Sequence, residues 1–191
     1  MLYTRKGDNG TTKTFGCDQR ISKSSAIAEA LGSLDEINSF LGICKVKSKD
    51  AGFKLPNGKT FSEAVHEVQQ NLFIVQAELA GSKMTIDEEK VKEVEMMVDA
   101  VEKELPPIKT FFISGGSELG ALFDIARTIA RRAERRVVGV AEDPSTGSGQ
   151  EKIIIGEFTR AYLNRLSSLL YALARLSNHF SGITEQSPTY K

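Results

Sequence analysis

The strongest chemical feature of the sequence is a run of five arginines within ten residues that contains no lysine: Arg127, Arg131, Arg132, Arg135 and Arg136. Guanidinium is planar and permanently charged, and its forked donors suit phosphate or carboxylate, whereas lysine presents a point charge. On a helix, Arg127, Arg131 and Glu134 share one narrow face, roughly opposite the apolar positions. The run favours an anion-binding site. A solvated face with weak intrahelical pairs such as Arg131–Glu134 is the alternative.

A second candidate for anion binding is the polar N-terminal segment 4–13, T-R-K-G-D-N-G-T-T-K. Its two glycines let backbone N–H groups approach a ligand closely, and its hydroxyls and cations supply further donors. Such a loop could cradle a polyphosphate, although it contains neither a Walker A motif nor GxGxxG. An ordinary polar terminus is the alternative interpretation, and the segment alone does not decide between the two.

Two residues on predicted helices are candidates for polar contacts. Asp35 lies on a stripe of small or polar residues, where a carboxylate at a helix contact needs a partner; exposure to solvent is the equal alternative. Asn164 shares its helix face with Arg160, Ser168 and Arg175, opposite the apolar stripe. This pattern is typical of a solvated face, but the Asn164 amide could instead contact a base or ribose.

Other chemically suggestive residues are best explained as structural. Phe111 begins a short apolar run before a Gly-Gly turn, which is typical of core packing. His66 lacks the second histidine of a zinc-protease helix, and Cys17 and Cys44 match no metal or redox spacing. These residues therefore predict neither a metal site nor a Ser, Cys or His nucleophile.

Hydrophobic periodicity predicts five helices that must position these residues. Their expected bounds are from about 22 to before 50, from 61 to near 81, from a capping box at 85–88 to Pro106, from an N-cap at Ser117 to about 140, and from about 156 to 180. The predicted buried face of the fourth helix is Leu122, Ile125, Ile129, Ala133, Val137 and Val140. Strand signal is limited to 111–113 and 152–155. The sequence therefore predicts an all-α, five-helix antiparallel bundle with a polar N-terminal loop.

Length and charge indicate one globular domain. The chain has 191 residues, and 25 Lys and Arg balance 25 Asp and Glu, which disfavours bulk attraction to nucleic acid or anionic lipid. No apolar run approaches the ~20 residues that span a bilayer. We expect a single domain over 1–191, with a loop at 1–20, the bundle at 22–180 and a flexible tail at 181–191. The absence of a signal segment or disulfide pattern favours a cytoplasmic location.

Several sequence blocks, taken together, resemble PduO-type ATP:corrinoid adenosyltransferases. They occur in order and cover nearly the whole chain: Y-T-R-K-G-D-N-G-T-T at 3–12, Lys23, E-A-L-G-S-L-D-E-I-N at 29–38 with L-G at 41–42, V-Q-Q-N-L-F at 68–73 with A-E-L-A at 77–80, R-T-I-A-R-R-A-E-R-R at 127–136, and L-N-R-L-S at 163–167. The arginine run and the N-terminal block are specific in combination. Ser114 departs from the pattern, because the family usually has proline before the Gly-Gly turn.

The resemblance implies a five-helix bundle that forms a homotrimer with active sites between subunits. It implies transfer of the 5′-deoxyadenosyl group of ATP to the cobalt of cob(I)alamin, with release of triphosphate and with Mg²⁺ accompanying ATP. Nucleotide contacts of the family correspond to two groups of residues. The N-terminal group is Thr4, Arg5, Lys6, Gly7, Thr12, Lys13 and Lys23, and the helical group is Arg131, Arg132, Glu134, Arg135 and Asn164.

The resemblance also assigns roles around the corrinoid. An ion pair across the subunit interface corresponds to Asp35 and Arg127, and the aromatic at the lower corrin face corresponds to Phe111. Together with Arg131, these are the implied catalytic residues. An apolar wall at Phe111 would favour four-coordinate Co(II) before its reduction to Co(I). Implied partners include a reductase and an adenosylcobalamin-dependent enzyme.

Two other classes of function stay open at this point. The chain could be a module that holds ATP and corrinoid and delivers finished cofactor without turnover. It could also be a helical scaffold whose arginines bind acidic protein surfaces, but that interpretation leaves the N-terminal block unexplained.

Overall fold

The computed structural model describes residues 2–14, 20–142 and 154–190, and this part of the chain is a helical bundle. Its elements are β1 (Thr11–Lys13), β2 (Arg20–Ser22), α1 (Ala26–Ala51), α2 (Phe61–Leu79), α3 (Glu88–Glu104), α4 (Glu118–Glu142) and α5 (Glu157–Phe180). The predicted all-α class with five helices is confirmed. None of these helices is long and apolar enough to cross a membrane.

The two central helices of the bundle are α4 and α5. α4 packs between α1 and α5, while α2 covers α1 and α3 covers α5. Large side chains such as Phe61, Phe123 and Tyr162 are fully buried between the helices of the bundle. Apolar residues at three-and-four spacing in the sequence line one face of α2 and one face of α5, and both faces are buried throughout. In α2 these residues are Phe61, Val65, Val68, Leu72, Val75 and Leu79, and in α5 they are Tyr162, Leu166, Leu169, Leu173 and Leu176.

Side-chain caps fix where the helices begin. α2 begins with a capping box, in which Thr60 Oγ1 accepts from the Glu63 N–H and the Glu63 carboxylate accepts from the Thr60 N–H. The box predicted around Thr85 is wrong. Asp87 is the N-cap of α3, and the Thr85 hydroxyl instead donates to the buried Glu78 carboxylate at 3.0 Å. Tertiary contact therefore overrode the local signal.

The predicted buried face of α4 is correct only in its C-terminal half. Ala133, Val137 and Val140 are buried, but Ile125 is 47% exposed. The first half instead buries Phe123 together with two small residues, Ala126 and Ala130. The alanines let α1 and α5 approach closely, so Ile125 is turned away from the core of the single chain, while Leu122 and Ile129 are partly buried at its edge.

The irregular segments also differ from expectation. β1 and β2 pair antiparallel, whereas residues 111–113 form no strand. Of the second predicted strand, Lys152 and Ile153 lie outside the described residues, and Ile154 and Ile155 are not in a strand. The segment after α5, predicted as a flexible tail, makes specific contacts: the Ile113 N–H donates to the Gln186 carbonyl at 2.8 Å.

The first turn of α4 leaves no room for a side chain at Gly120. Asn178 Oδ1 accepts from the N–H and the hydroxyl of Ser117, both at 2.9 Å, and Ser117 Oγ caps α4 by accepting from the Gly120 N–H. A Cβ on Gly120 would lie 2.3 Å from Asn178 Oδ1. We expect Gly120→Ala to lower the free energy of unfolding by about 1–3 kcal/mol, because the buried amide must move.

The control for this prediction is Gly139→Ala on the same helix, where an added Cβ meets no atom within 4 Å. This variant should gain up to about 1 kcal/mol from higher helix propensity. Urea unfolding followed by circular dichroism measures both. Equal stability of the two variants would contradict the predicted clash.

Candidate active site

A cleft of about 600 Å³ opens between α4, α5 and the loop that joins α3 to α4, here called the 105–117 loop. Phe111 and Phe112 line it from the loop, Arg127 and Arg131 from α4, and Tyr171 from α5. The Phe111 side chain is 79% exposed, so the expectation that it packs in the core is wrong. The structure thus brings Phe111 together with the two arginines to which the resemblance gave catalytic roles.

A second cleft of about 310 Å³ lies further along α4 and gathers most of the predicted helical nucleotide contacts. Its lining includes Arg131, Glu134, Arg135 and Asn164. Asn164 Nδ2 donates to Glu134 Oε1 at 3.0 Å, which replaces the intrahelical Arg131–Glu134 pair considered from sequence. Arg131 borders both clefts. A ligand in one cleft therefore lies next to a ligand in the other.

Arg127 is incompletely paired. Its Nε is buried without a hydrogen-bond partner in the described part of the chain, and its guanidinium lies 5.8 Å from the centre of the Tyr171 ring. Burial raises the pKa of Tyr171 above that of a free phenol, so its hydroxyl stays neutral at pH 7. An unsatisfied buried donor is costly, so an anionic partner that accepts a hydrogen bond from Arg127 would be stabilising.

Asp124 is a residue of the first cleft that sequence reasoning missed. Its carboxylate is buried one helical turn before Arg127, and Oδ2 accepts from the Gly115 N–H at 3.0 Å. Gly115 and Gly116 have φ of +111° and +114°, so both need glycine. Asp124 thereby anchors the C-terminal end of the 105–117 loop. An acid between two apolar residues on a helix was the available signal.

Arg132 and Asp35 are placed differently from the other predicted site residues. Arg132 forms an ion pair with Glu36 of α1, and both side chains are about half exposed. Asp35 is exposed on α1, and its carboxylate makes no hydrogen bond or ion pair among the described residues. The Asp35–Arg127 pair is thus not formed within one chain.

The N-terminal group forms a separate, internally bonded loop. Its members are Thr4, Arg5, Lys6, Gly7, Thr12, Lys13 and Lys23. The Lys23 N–H donates to the Gly10 carbonyl at 2.9 Å, and the Lys23 ammonium lies so close to Gly7 that an added Cβ there would be 3.1 Å from Nζ. Arg20, which sequence reasoning missed, donates to Thr11 Oγ1 at 2.6 Å and to the Lys6 carbonyl.

The structure therefore brings the N-terminal residues together but keeps them apart from the clefts. The side-chain hydrogen bonds of residues 4–12 stay within the loop and hairpin in the part of the chain that is described. Ile21 of β2 packs against the helical core and attaches the hairpin to the bundle. One chain thus presents two separate groups of cationic and hydroxyl donors.

Comparison with known sequences identifies relatives of this chain. Residues 2–177 match the family model described as cobalamin adenosyltransferase. The chain is 37% identical over 187 residues to a corrinoid adenosyltransferase of Bacillus subtilis, covering 95% of this chain and 89% of that one. It is 35% identical over 185 residues to the corrinoid adenosyltransferase PduO of Citrobacter freundii, covering 93% of this chain and 50% of that one. The chain thus spans about half the length of the PduO relative.

Solved structures agree with the sequence comparison. A phenylalanine-to-alanine variant of a Lactobacillus reuteri PduO-type ATP:corrinoid adenosyltransferase, complexed with cobalamin and ATP, superposes with a TM-score of 0.82 at 27% identity. The match covers 98% of this chain and 99% of that one. An arginine-to-lysine variant of the same enzyme, complexed with ATP, gives a TM-score of 0.80 at 27% identity over 98% of this chain and all of that one. The chain belongs to the cobalamin adenosyltransferase family.

Proposed function

We propose that this protein transfers the 5′-deoxyadenosyl group of ATP to the cobalt of cob(I)alamin and releases triphosphate. The observation that carries the proposal is the pair of adjoining clefts that share Arg131, one walled by aromatics and the other lined by arginines, glutamates and the amide of Asn164. The apolar cleft suits a large corrin ring, and the polar cleft suits a nucleotide. Family relatives with bound cobalamin and ATP support the same assignment of substrates.

The reaction needs no nucleophile from the protein. The Co(I) electron pair attacks C5′ of ATP, the carbon–cobalt bond forms, and the C5′–oxygen bond breaks toward triphosphate. Cys44 is not an alternative nucleophile, because burial raises the pKa of its thiol to about 12 and keeps it protonated. What the protein supplies is position, together with charge that matches the growing negative charge of the leaving group.

Arginines around the second cleft are suited to stabilise the leaving triphosphate. Arg131 and Arg135 line that cleft, and Asn164 with Glu134 offers polar contacts to the rest of the nucleotide. Arg132 joins this set if a nucleotide competes with Glu36 for its guanidinium. Fixed cations at the leaving group are among the most effective contributions an enzyme can make.

Phe111 provides an apolar surface in the first cleft. Its largely exposed ring faces the first cleft, where it would exclude water or another axial ligand from cobalt. Loss of the axial ligand leaves four-coordinate Co(II), which is easier to reduce to Co(I). Phe111 thus acts before the transfer step, and the arginines act during it.

The residues fit a magnesium ion that arrives with ATP. The described residues contain no group of three or more His, Cys, Asp or Glu side chains that could hold a metal ion. Mg²⁺ is usually held by one or two carboxylates together with substrate phosphates and water, and Glu134 and Glu142 border the second cleft. When bound there, Mg²⁺ would neutralise charge on the triphosphate.

The complete site requires a second copy of the chain. The N-terminal loop and the clefts are separate in one chain, Arg127 Nε has no hydrogen-bond partner among residues 2–14, 20–142 and 154–190, and Asp35 is exposed. Ile43 and Val46 of α1 and Ile125 of α4 expose apolar surface that another subunit can cover. A neighbouring copy would meet these needs, and the resemblance to the family favours a homotrimer, in which the loop of one subunit completes the nucleotide site of its neighbour.

The remaining assignments follow from this function. Residues 1–20 serve as the ATP-binding loop of a single domain whose bundle covers 22–180. A reductase must supply the electron that converts Co(II) to Co(I), and an adenosylcobalamin-dependent enzyme must consume the product. Cysteines without disulfide or metal spacing fit a reducing cytoplasm.

An anaerobic assay tests the proposed function. The protein is mixed with ATP, Mg²⁺ and chemically reduced cob(I)alamin, and the visible spectrum is followed. We expect the Co(I) band to disappear and an alkylcobalamin spectrum to grow only when ATP is present. ATP binding by calorimetry without turnover would instead favour the delivery module, and absence of ATP binding would leave the helical scaffold.

Asp35→Asn tests whether subunit assembly and corrinoid binding depend on the proposed Asp35–Arg127 pair. The change removes the charge that would pair with Arg127 of a neighbouring subunit while keeping the side chain's size. Breaking a buried pair on one side costs about 3–5 kcal/mol, so we expect lower activity together with a weaker trimer or weaker corrinoid binding. Sedimentation velocity and steady-state kinetics measure these effects. Unchanged kinetics and an unchanged oligomer would contradict the pairing.

A further inference from the structure

Arg175 of α5 is buried where the sequence predicted a solvated face. Only 6% of its side chain is exposed, and it has three partners. Nε donates to Glu185 Oε2 at 2.9 Å, Nη2 donates to the Pro106 carbonyl at 3.1 Å, and the guanidinium lies 5.2 Å from the centre of the Phe112 ring. A buried guanidinium is costly unless its charge is paired, so Arg175 depends on Glu185.

Glu185 belongs to the segment that follows α5, and this segment lies against the 105–117 loop. The Gln186 carbonyl accepts from the Ile113 N–H at 2.8 Å, next to the Glu185 ion pair. The Glu185 side chain is only 17% exposed. The segment thus binds the loop directly by one backbone hydrogen bond and indirectly through Arg175, which pairs with Glu185 and donates to the Pro106 carbonyl.

These contacts hold the loop at positions before and after Phe111 in the sequence. Pro106 precedes it, and Phe112 and Ile113 follow it directly. Phe111 itself is 79% exposed in the first cleft, so few contacts of its own fix its position. Arg175 and the segment after α5 instead fix the loop backbone on either side of Phe111.

We propose that Arg175 and Glu185 are positioning residues that hold the 105–117 loop so that Phe111 presents its ring to the corrinoid. This inference rests on the proposed function, because it names what keeps the apolar wall of that site in place. The first cleft, and not the arginine-lined second cleft, depends on the Arg175–Glu185 pair. Loss of the pair should therefore affect corrinoid use and leave ATP binding unchanged.

Glu185→Gln in the full chain tests the proposal with two measurements. Amide hydrogen exchange by mass spectrometry, without ligands, should show faster exchange in the peptide that contains Ile113 and unchanged exchange in peptides of α2. Steady-state kinetics that start from cob(II)alamin with a reductant should show an apparent KM for the corrinoid raised by about tenfold or more, because small displacements near the reacting centre are costly. The KM for ATP should stay within about twofold of the wild-type value.

Glu67→Gln is the matched control, because Glu67 also accepts from a cation, Lys59 Nζ at 2.6 Å, but lies on α2 away from both clefts. It should change neither readout. Glu185→Asp keeps the charge on a shorter side chain and should restore part of the corrinoid KM. Restoration by Asp would show that charge, and not mere packing, holds the loop.

Three results would overturn the inference. Unchanged exchange at Ile113 in Glu185→Gln would show that the ion pair does not hold the loop. Faster exchange with an unchanged corrinoid KM would show that the position of the loop does not affect corrinoid binding. The same conclusion would follow if the KM for the corrinoid and the KM for ATP rose alike. A wild-type protein that forms no alkylcobalamin would refute the proposed function, and the corrinoid role with it, while hydrogen exchange would still decide whether the pair holds the loop.

Discussion

Replacing Arg131 with alanine should weaken ATP binding roughly 10- to 100-fold, because a hydrogen bond to a charged group contributes about 1.5–3 kcal/mol. Arg131 lines both clefts, so under the proposed function it lies where the triphosphate separates from the adenosyl group. We also expect kcat to fall by about 100-fold, since removal of one donor at a developing anion has effects of that size. Calorimetry with ATP and anaerobic single-turnover kinetics measure the two losses separately.

The control for this prediction is Arg136→Ala. Arg136 is on the same helix and half exposed, and its nearest acid is Glu29 at 4.0 Å, outside the lining of both clefts. It should therefore bind ATP like the wild type. Arg131→Lys keeps the charge but loses the forked geometry, and it should fall between wild type and alanine. If Arg131→Ala bound ATP as tightly as Arg136→Ala did, the assigned role would be refuted.

Replacing Phe111 with alanine should block the route that begins from Co(II). Without the aromatic ring, water reaches the axial position and Co(II) becomes harder to reduce. We expect turnover from cob(II)alamin with a reductant to fall by at least about 100-fold, equivalent to about 2.7 kcal/mol. Turnover from chemically reduced cob(I)alamin should fall much less, because the transfer step does not need the four-coordinate state.

Phe73→Ala is the appropriate comparison, because Phe73 is also exposed (59%) but lies on α2 away from the clefts. Electron paramagnetic resonance of cob(II)alamin with ATP should show a four-coordinate signal for wild type and Phe73→Ala and lose it for Phe111→Ala. Both variants should unfold like the wild type, since exposed rings contribute little to the core. A four-coordinate signal retained in Phe111→Ala would contradict the assignment.

The number of helices and the core positions of α2 and α5 were predictable from the sequence. In both helices the apolar residues form one stripe, and nothing competes with that stripe for burial. α4 was less predictable because it carries two apolar faces. Its alanine face is buried within the chain, while Ile125 is exposed in the single chain. Hydrophobicity alone does not distinguish a core from a surface that a second subunit covers.

The candidate site was predictable where it depends on helical spacing. Arg131, Glu134 and Arg135 share the second cleft because one turn of a helix separates them. Contacts that depend on loops could not be foreseen. Arg175 is buried among the segment after α5 and the 105–117 loop, and the buried Asp124 accepts from the Gly115 N–H of that loop.

The hydrogen bonds that hold the 105–117 loop have a consequence for how the family's specificity can change. They involve backbone atoms of the loop: the Pro106 carbonyl, the Ile113 N–H, and the N–H and carbonyl of Gly115. Apart from Phe112, side chains at 107–112 can therefore be exchanged without loss of these anchors. Under the proposed function, selection can therefore change the wall of the first cleft around Phe111, whereas the arginines of the second cleft stand on a packed helix and are more constrained. The cleft walled by the loop is thus more open to evolutionary change than the cleft lined by α4.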